Sequence, residues 1–159
     1  MATEYCSDNL GRDARLYRNT GTVLVPVWTE VKEARDITLN MAGDKVEQSD
    51  RSTRFKLYDV GSIDLSISVT LTYRTGNANC EALRNLLLNN CAEQMALMSG
   101  PIATVGSEGI KAGFKVFTNN HAFPMADGMT VEIELAPCYY ESPAAAGVQI
   151  APEWYEVAT

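Results

Sequence analysis

The stretch Ile63-Asp64-Leu65-Ser66-Ile67-Ser68-Val69-Thr70-Leu71-Thr72-Tyr73 alternates apolar and polar residues without a break. Successive side chains of a strand point to opposite sides. A period of two therefore sets Ile63, Leu65, Ile67, Val69, Leu71 and Tyr73 against a core and Asp64, Ser66, Ser68, Thr70 and Thr72 in water. A strand of this kind belongs to an antiparallel sheet with one wet face. The pattern returns after a turn at Ala126-Asp127-Gly128, where Met129, Val131, Ile133 and Leu135 alternate with Thr130, Glu132, Glu134 and Ala136.

Upstream, Thr22 to Trp28 (TVLVPVW) is rich in β-branched residues and reads as a strand, with Pro26 placing it at an edge or a bulge. A charged connection, Glu30 to Asp36, leads to a second strand at Ile37 to Met41. The polar stretch from 42 to 54, with Asp44, Lys45, Glu47, Asp50, Arg51 and Arg54, is too long for a tight hairpin turn and is expected to project as an interaction loop before a strand at Phe55–Tyr58. The first twenty residues are polar, with Arg12, Arg15 and Arg18 three apart, and read as an arm that orders on a neighbour.

Downstream, the segment from Asn79 to Leu88 has a capping asparagine, Glu81 in its first turn and a stripe of Leu83, Leu86 and Leu87, which predicts one helix covering an open end or face of the sheets. Further strands are expected at Met95–Met98 and Ile110–Thr118, separated by glycine and proline turns. Residues 139–159, with Pro143, Pro152 and three alanines, read as an extended tail around a single domain from 21 to 138. The fold class is mainly β: a two-sheet sandwich or barrel with one flanking helix.

The 159 residues suffice for one core, and 46% hydrophobic with 21% charged residues is a globular composition. The formal charge of −7 is lopsided: residues 1–91 hold 11 Lys and Arg against 12 Asp and Glu, whereas 92–159 hold 2 against 8. Acidic surfaces repel phosphates, which argues against gripping nucleic acid but not against letting it slide past. No cationic segment followed by an apolar run opens the chain, and no run of about 18 apolar residues occurs, so a cytosolic chain without membrane contact is expected.

Chemistry-bearing motifs are sparse. Cys6, Cys80, Cys91 and Cys138 form no CxxC pair and His121 is the lone histidine, so no metal or cofactor is expected and the thiols read as reduced. A Ser-His-Asp or Cys-His site would have to use His121, in the polar run Asn119-Asn120-His121, where a surface histidine is the simpler reading. Gly106, Gly109 and Gly113 lack the Gly-Lys-Ser/Thr ending of a phosphate loop, and Glu132 and Glu134 have the ordinary spacing of a solvated strand face. The expectation is a protein that is not an enzyme.

The order of features runs from a Val-rich strand ending in Trp28, through a charged connection and a long loop into Asp50-Arg51-Ser52-Thr53-Arg54-Phe55, to an alternating strand, one helix and a closing hairpin around Phe123-Pro124-Met125-Ala126-Asp127-Gly128-Met129-Thr130-Val131-Glu132-Ile133. From about Val23 to Pro137 this resembles the major tail tube protein family of long-tailed bacteriophages. The resemblance implies sixfold rings stacked into a hollow tube in the virion tail, assembled in the host cytoplasm, with self as the main partner. It further implies tail tip or baseplate, tape measure and tail terminator proteins as partners, with DNA passing through the lumen without specific binding. Under it, Glu132 and Glu134, or the row Asp64, Ser66, Ser68, Thr70 and Thr72, face the lumen. Arg12, Arg15, Arg18, Asp44, Lys45, Glu47, Asp50, Arg51 and Arg54 are then candidates for inter-subunit contact. Tubes of contractile injection and type VI secretion systems share this architecture and form the alternative. A carbohydrate-binding sandwich using Trp28, Tyr139, Tyr140 and Trp154 is the reading from another class.

Overall fold

The computed structural model describes residues 11–141 and 149–158. After a short 3-10 turn at Gly11–Asp13, the elements run β1 (Arg15–Asn19), β2 (Trp28–Glu30), β3 (Ala34–Glu47), β4 (Tyr58–Thr72), α1 (Ala78–Leu88), β5 (Glu93–Met98), β6 (Glu108–Ala122), β7 (Thr130–Pro137) and β8 (Glu153–Glu156). All strands pair antiparallel, in the order β2-β1-β5-β6-β7-β4-β3, and β8 adds to β6.

The two layers of the sandwich are one sheet folded over, and β6 is where it folds. Its first half pairs with β5 on one side and β8 on the other, whereas from Phe114 to Ala122 it pairs with β7. A bulge between Val116 and Thr118 adds the exposed Phe117 to this half. At the fold-over, Gly113 lies under Tyr140, and a Cβ there would stand 2.5 Å from the tyrosine side chain, so no other residue fits without moving that ring. Leu16, Met95, Leu97, Ile110 and Phe114 of one layer meet Ile67, Val69, Leu71, Val131, Ile133 and Leu135 of the other in a single buried cluster. The alternation at 63–73 and 129–136 thus divides as expected over its middle, with burial pattern buried-exposed-buried in both β4 and β7.

Helix α1 closes one end of the sandwich with buried Cys80 and Leu83 and half-buried Leu86 and Leu87. Its cap is Asn77 and not Asn79: the Asn77 side chain accepts from the backbone N–H groups of Asn79 and Cys80 at 3.0 and 3.1 Å. Cys80 is buried, Cys91 exposed and Cys138 half-buried, all as free thiols, and Cys6 lies outside the described residues.

Four expectations need correction. The arm does not extend to residue 20, because Arg15–Asn19 is the buried strand β1 between β2 and β5; residues 1–10 lie outside the described ones. Thr22–Val27 is a loop and not a strand. The buried Asn19 amide organises it by accepting from Gly21 and Val27 N–H and donating to the Thr22 carbonyl, and this fixed turn with Pro26 overrides β propensity. Residues 42–47 belong to β3 and 58 onward to β4, so the projecting element is a long β-hairpin whose connection is only 48–57. Finally, the C-terminal segment is packed: β8 pairs with β6, and Tyr155 and Val157 cover Tyr17, Ala96 and Met98 on the outer side of the second layer.

Candidate functional site

The register places both candidate rows on one surface. Ile67, Val69 and Leu71 face the core, so Ser66, Ser68, Thr70 and Thr72 face the other way, as do Glu132 and Glu134 between core-facing Val131, Ile133 and Leu135. Ser68 lies opposite Glu134 and Thr70 opposite Glu132 across β4 and β7, Thr72 opposite Thr130, and Asp64 opposite Ala42 of β3. The alternatives left open by the sequence are therefore parts of the same face.

Two cross-strand rows run the width of this layer. One is Thr38, Ser68, Glu134, Thr118; the next is Asp36, Thr70, Glu132, Asn120. They line a shallow depression on the outside of the four strands β3, β4, β7 and the second half of β6. Neither row contains a lysine or arginine. Lys115, at the margin, donates from Nζ to the Asn90 side chain at 3.0 Å. Asp36, Thr38, Thr118 and Asn120 were not among the residues singled out from sequence. The first two could have been found, because Asp36, Thr38 and Asn40 alternate with Ile37, Leu39 and Met41. For β6 the bulge at Phe117 breaks the period and hides the pattern.

The inter-subunit candidates separate into two groups. Arg18 is turned into the protein: its guanidinium donates to Glu93 at 2.9 Å and to the Asn79 side chain at 3.2 Å, with both charged side chains nearly buried. Arg15 donates to Glu30 at 2.6 Å. Both arginines thus pair within the chain. Arg12 is exposed beside Asp13. Asp44, Lys45 and Glu47 lie on the exposed outer half of β3, where Lys45 sits 5.8 Å from the Tyr58 ring centre and Glu47 pairs with Lys56 at 3.6 Å. Asp50, Arg51 and Arg54 are in the exposed connection, where Asp50 accepts from the Ser52 N–H and hydroxyl.

Glu33, between β2 and β3, ties that connection to the helix start. It accepts from Asn77 at 2.6 Å and from Asn79 at 3.0 Å. Burial pushes its carboxyl upward, but the Asn79 and Asn77 donors, its own backbone N–H and the charge of Arg74 together hold it below the ordinary value of 4.5. Glu33, Asn77, Asn79, Arg18 and Glu93 form one polar chain under the helix, which is structural in character. Among the described residues, no group of three His, Cys, Asp or Glu side chains is placed to hold a metal ion, and no helix is long and apolar enough to cross a membrane.

This folded-over antiparallel sheet with a capping helix and a long projecting hairpin has the fold of chains in solved tail and tail tube structures. The solved structures it resembles agree. The tail of an empty gene transfer agent particle, refined with helical C6 symmetry, matches at TM-score 0.64 and 12% identity over 81% of this chain and 93% of that one. The SPP1 tail tube matches at TM-score 0.69 and 9% identity over 94% and 80%. The baseplate of the anti-feeding prophage, sixfold symmetrised, matches at TM-score 0.56 and 8% identity over 99% of both chains. No family model and no curated protein matches the sequence.

Proposed function

We propose that this chain is a structural virion protein that assembles as sixfold rings stacked into a tail tube, and that the rows through Ser68 and Thr70 line its lumen. The observation that carries this reading is the four-stranded layer itself, which combines an acid- and hydroxyl-bearing outer face with an open edge on each side. β3 ends the sheet on one side, and on the other the second half of β6 pairs with β7 alone among the described residues. Two different open edges on opposite sides of one layer make a heterologous contact, which closes into a ring when its rotation is a whole fraction of a turn. Closure also pairs the backbone groups that would otherwise template aggregation. The likeness to a tail with C6 symmetry supports six copies per ring.

In such a ring the polar face of each copy points at the axis. Carboxylates at Asp36, Asp64, Glu132 and Glu134 repel phosphates, and the hydroxyls between them offer no fixed cation to hold a DNA backbone. The tube is then a passive conduit: it guides DNA without binding it. Tail tip or baseplate, tape measure and terminator proteins are its expected end partners, with assembly in the host cytoplasm. Negative-stain microscopy of the purified, concentrated chain is expected to show hollow rings or rods. A chain that stays a monodisperse monomer at every concentration rejects the reading.

A further inference from the structure

The two layers do not close on each other everywhere. A cavity of about 220 Å³ opens where Ile37 and Leu39 of the edge strand β3 face Leu97 and Met98 at the end of β5, with Ala14 and Trp154 on its rim. Its walls belong to the interior: Leu97 and Met98 are buried, and Ile37 and Leu39 pack half-buried against the shared cluster. Trp154 is 54% exposed, its indole N–H donating to Glu108 at 3.2 Å. Glu108 is the one charged residue of the lining, and it is engaged by that bond. Water gains little in such a space, since apolar cavities of about 150 Å³ stay dry and take up apolar groups.

We infer that residues 1–10 of this chain cover the opening in their own sandwich, with Leu10 as the group that enters it, and so shield it from other copies. The path of the chain points there. Arg15 pairs with Met98, which sets Ala14 beside the end of β5, on the rim itself. Ahead of it the turn Gly11–Asp13 is closed by Ala14 N–H donating to the Gly11 carbonyl at 3.3 Å. A 3-10 turn rises only about 2 Å per residue, so the segment enters within about 8 Å of Ala14. Its ten residues span up to about 33 Å when extended, and Met1, Ala2, Tyr5, Cys6 and Leu10 supply apolar side chains with no Lys or Arg among them. Other segments of the chain are held elsewhere. The 48–57 connection is kept away by pairing that runs unbroken to Glu47 and Tyr58. Residues 142–148 leave and return at one place, because Glu141 pairs with Gln149 and Ile150 N–H donates to the Tyr140 carbonyl at 2.8 Å, over Gly113 and not over Gly109. Against a second copy the tether decides: a group joined through a few residues acts at an effective concentration in the mM range, far above that of free subunits. A covered opening offers another copy nothing to bind, so the segment restrains association through this edge until it is displaced.

The test uses the full-length chain with a benzophenone amino acid at position 10, irradiated as a dilute mixture of isotope-labelled and unlabelled copies. Cross-links within one copy, from position 10 to residues 37–39, 97–98 or 154, are expected. Cross-links between copies, cross-links to any other surface, or none at all overturn the proposal. A second readout leaves position 10 untouched by a probe. In a Trp28→Phe background Trp154 is the remaining tryptophan, and deletion of residues 2–10 is expected to raise its acrylamide quenching constant at least twofold. The same deletion is expected to bring self-association, followed by sedimentation, at a concentration at least tenfold lower than the full chain requires. Unchanged quenching, or association no stronger than that of the full chain, overturns the proposal. Neither outcome touches the tube reading, which stands or falls on rings and rods formed by the wild-type chain.

Discussion

The middle and the hairpin end of the β3–β4 pair carry the same apolar-polar alternation and meet opposite fates. Ile67, Val69 and Leu71 are buried under β5, β6 and α1, whereas Ile63, Val60 and Met41, on the same two strands, stand in water. The difference teaches that patterning fixes which side of a strand is apolar, while coverage is decided by the relative lengths of the two layers. What is apolar and covered holds the monomer together. What is apolar and bare, under the proposed assembly, is surface left for contact between copies.

The largest effect is expected in the covered middle. Phe114 is fully buried at the point where β6 passes from one layer to the other, in contact with the shared cluster. Phe114→Ala removes the ring and leaves a cavity between two layers that cannot collapse independently, at a cost of about 3–5 kcal/mol. Urea denaturation of the monomer measures it. A loss below about 1 kcal/mol would show that the two halves of the folded sheet do not depend on a common core, and would break the comparison.

A smaller effect, with a pH signature, belongs to the covered end at Glu33. Its folded carboxyl lies below the ordinary 4.5, so the unfolded chain takes up the proton first as pH falls. The stabilisation is therefore complete above pH 4.5 and is lost as pH drops through the lower folded value. Glu33→Gln keeps the shape but weakens the acceptance from Asn77 and Asn79, costing about 1 kcal/mol at pH 7. Thermal midpoints of the two proteins are expected to differ at pH 7 and to converge near pH 3. A gap that stays constant down to pH 3 would place the effect in packing and not in the ionised carboxylate.

Legibility followed how local each signal was. The strand at 63–73, the closing strand at 129–136 and the helix could be read because period and capping chemistry lie within a dozen residues. The helix cap slipped from Asn79 to Asn77 because two asparagines flank Ala78 at that start, and the choice between them rests on partners from Glu33 and Arg18. Arg15 and Arg18 looked like an arm because their partners, Glu30 and Glu93, are 15 and 75 positions away. Likewise β8 is short and its pairing with β6 spans more than forty residues, so nothing local announced it. The polar face was half legible: its β4 and β7 members, Ser68, Thr70, Glu132 and Glu134, were identified and those of β3 and β6 were not, and that all share a surface is a matter of register.

The smallest expected effect on the monomer is the sharpest statement about the hairpin. Val60 and Phe55 are exposed by 66% and 78% and lie away from the shared cluster. If exposure in the isolated chain is their state in the unassembled protein, Val60→Ser and Phe55→Ser remove surface that was never taken from water on folding. The denaturation midpoint is then expected to move by no more than about 0.5 kcal/mol equivalent. Assembly should respond instead, because the apolar area lost is area that a second copy would have buried. Sedimentation of the double variant is thus expected to show folded subunits whose assembly requires at least a tenfold higher concentration. A monomer destabilised by 2 kcal/mol or more would mean the hairpin folds back onto its own sandwich, in the apolar groove lined by Met41, Ile63, Leu65, Ile110, Pro137 and Pro152. The contrast between covered and bare ends would then belong to two conformations of one chain and not to two regions of it.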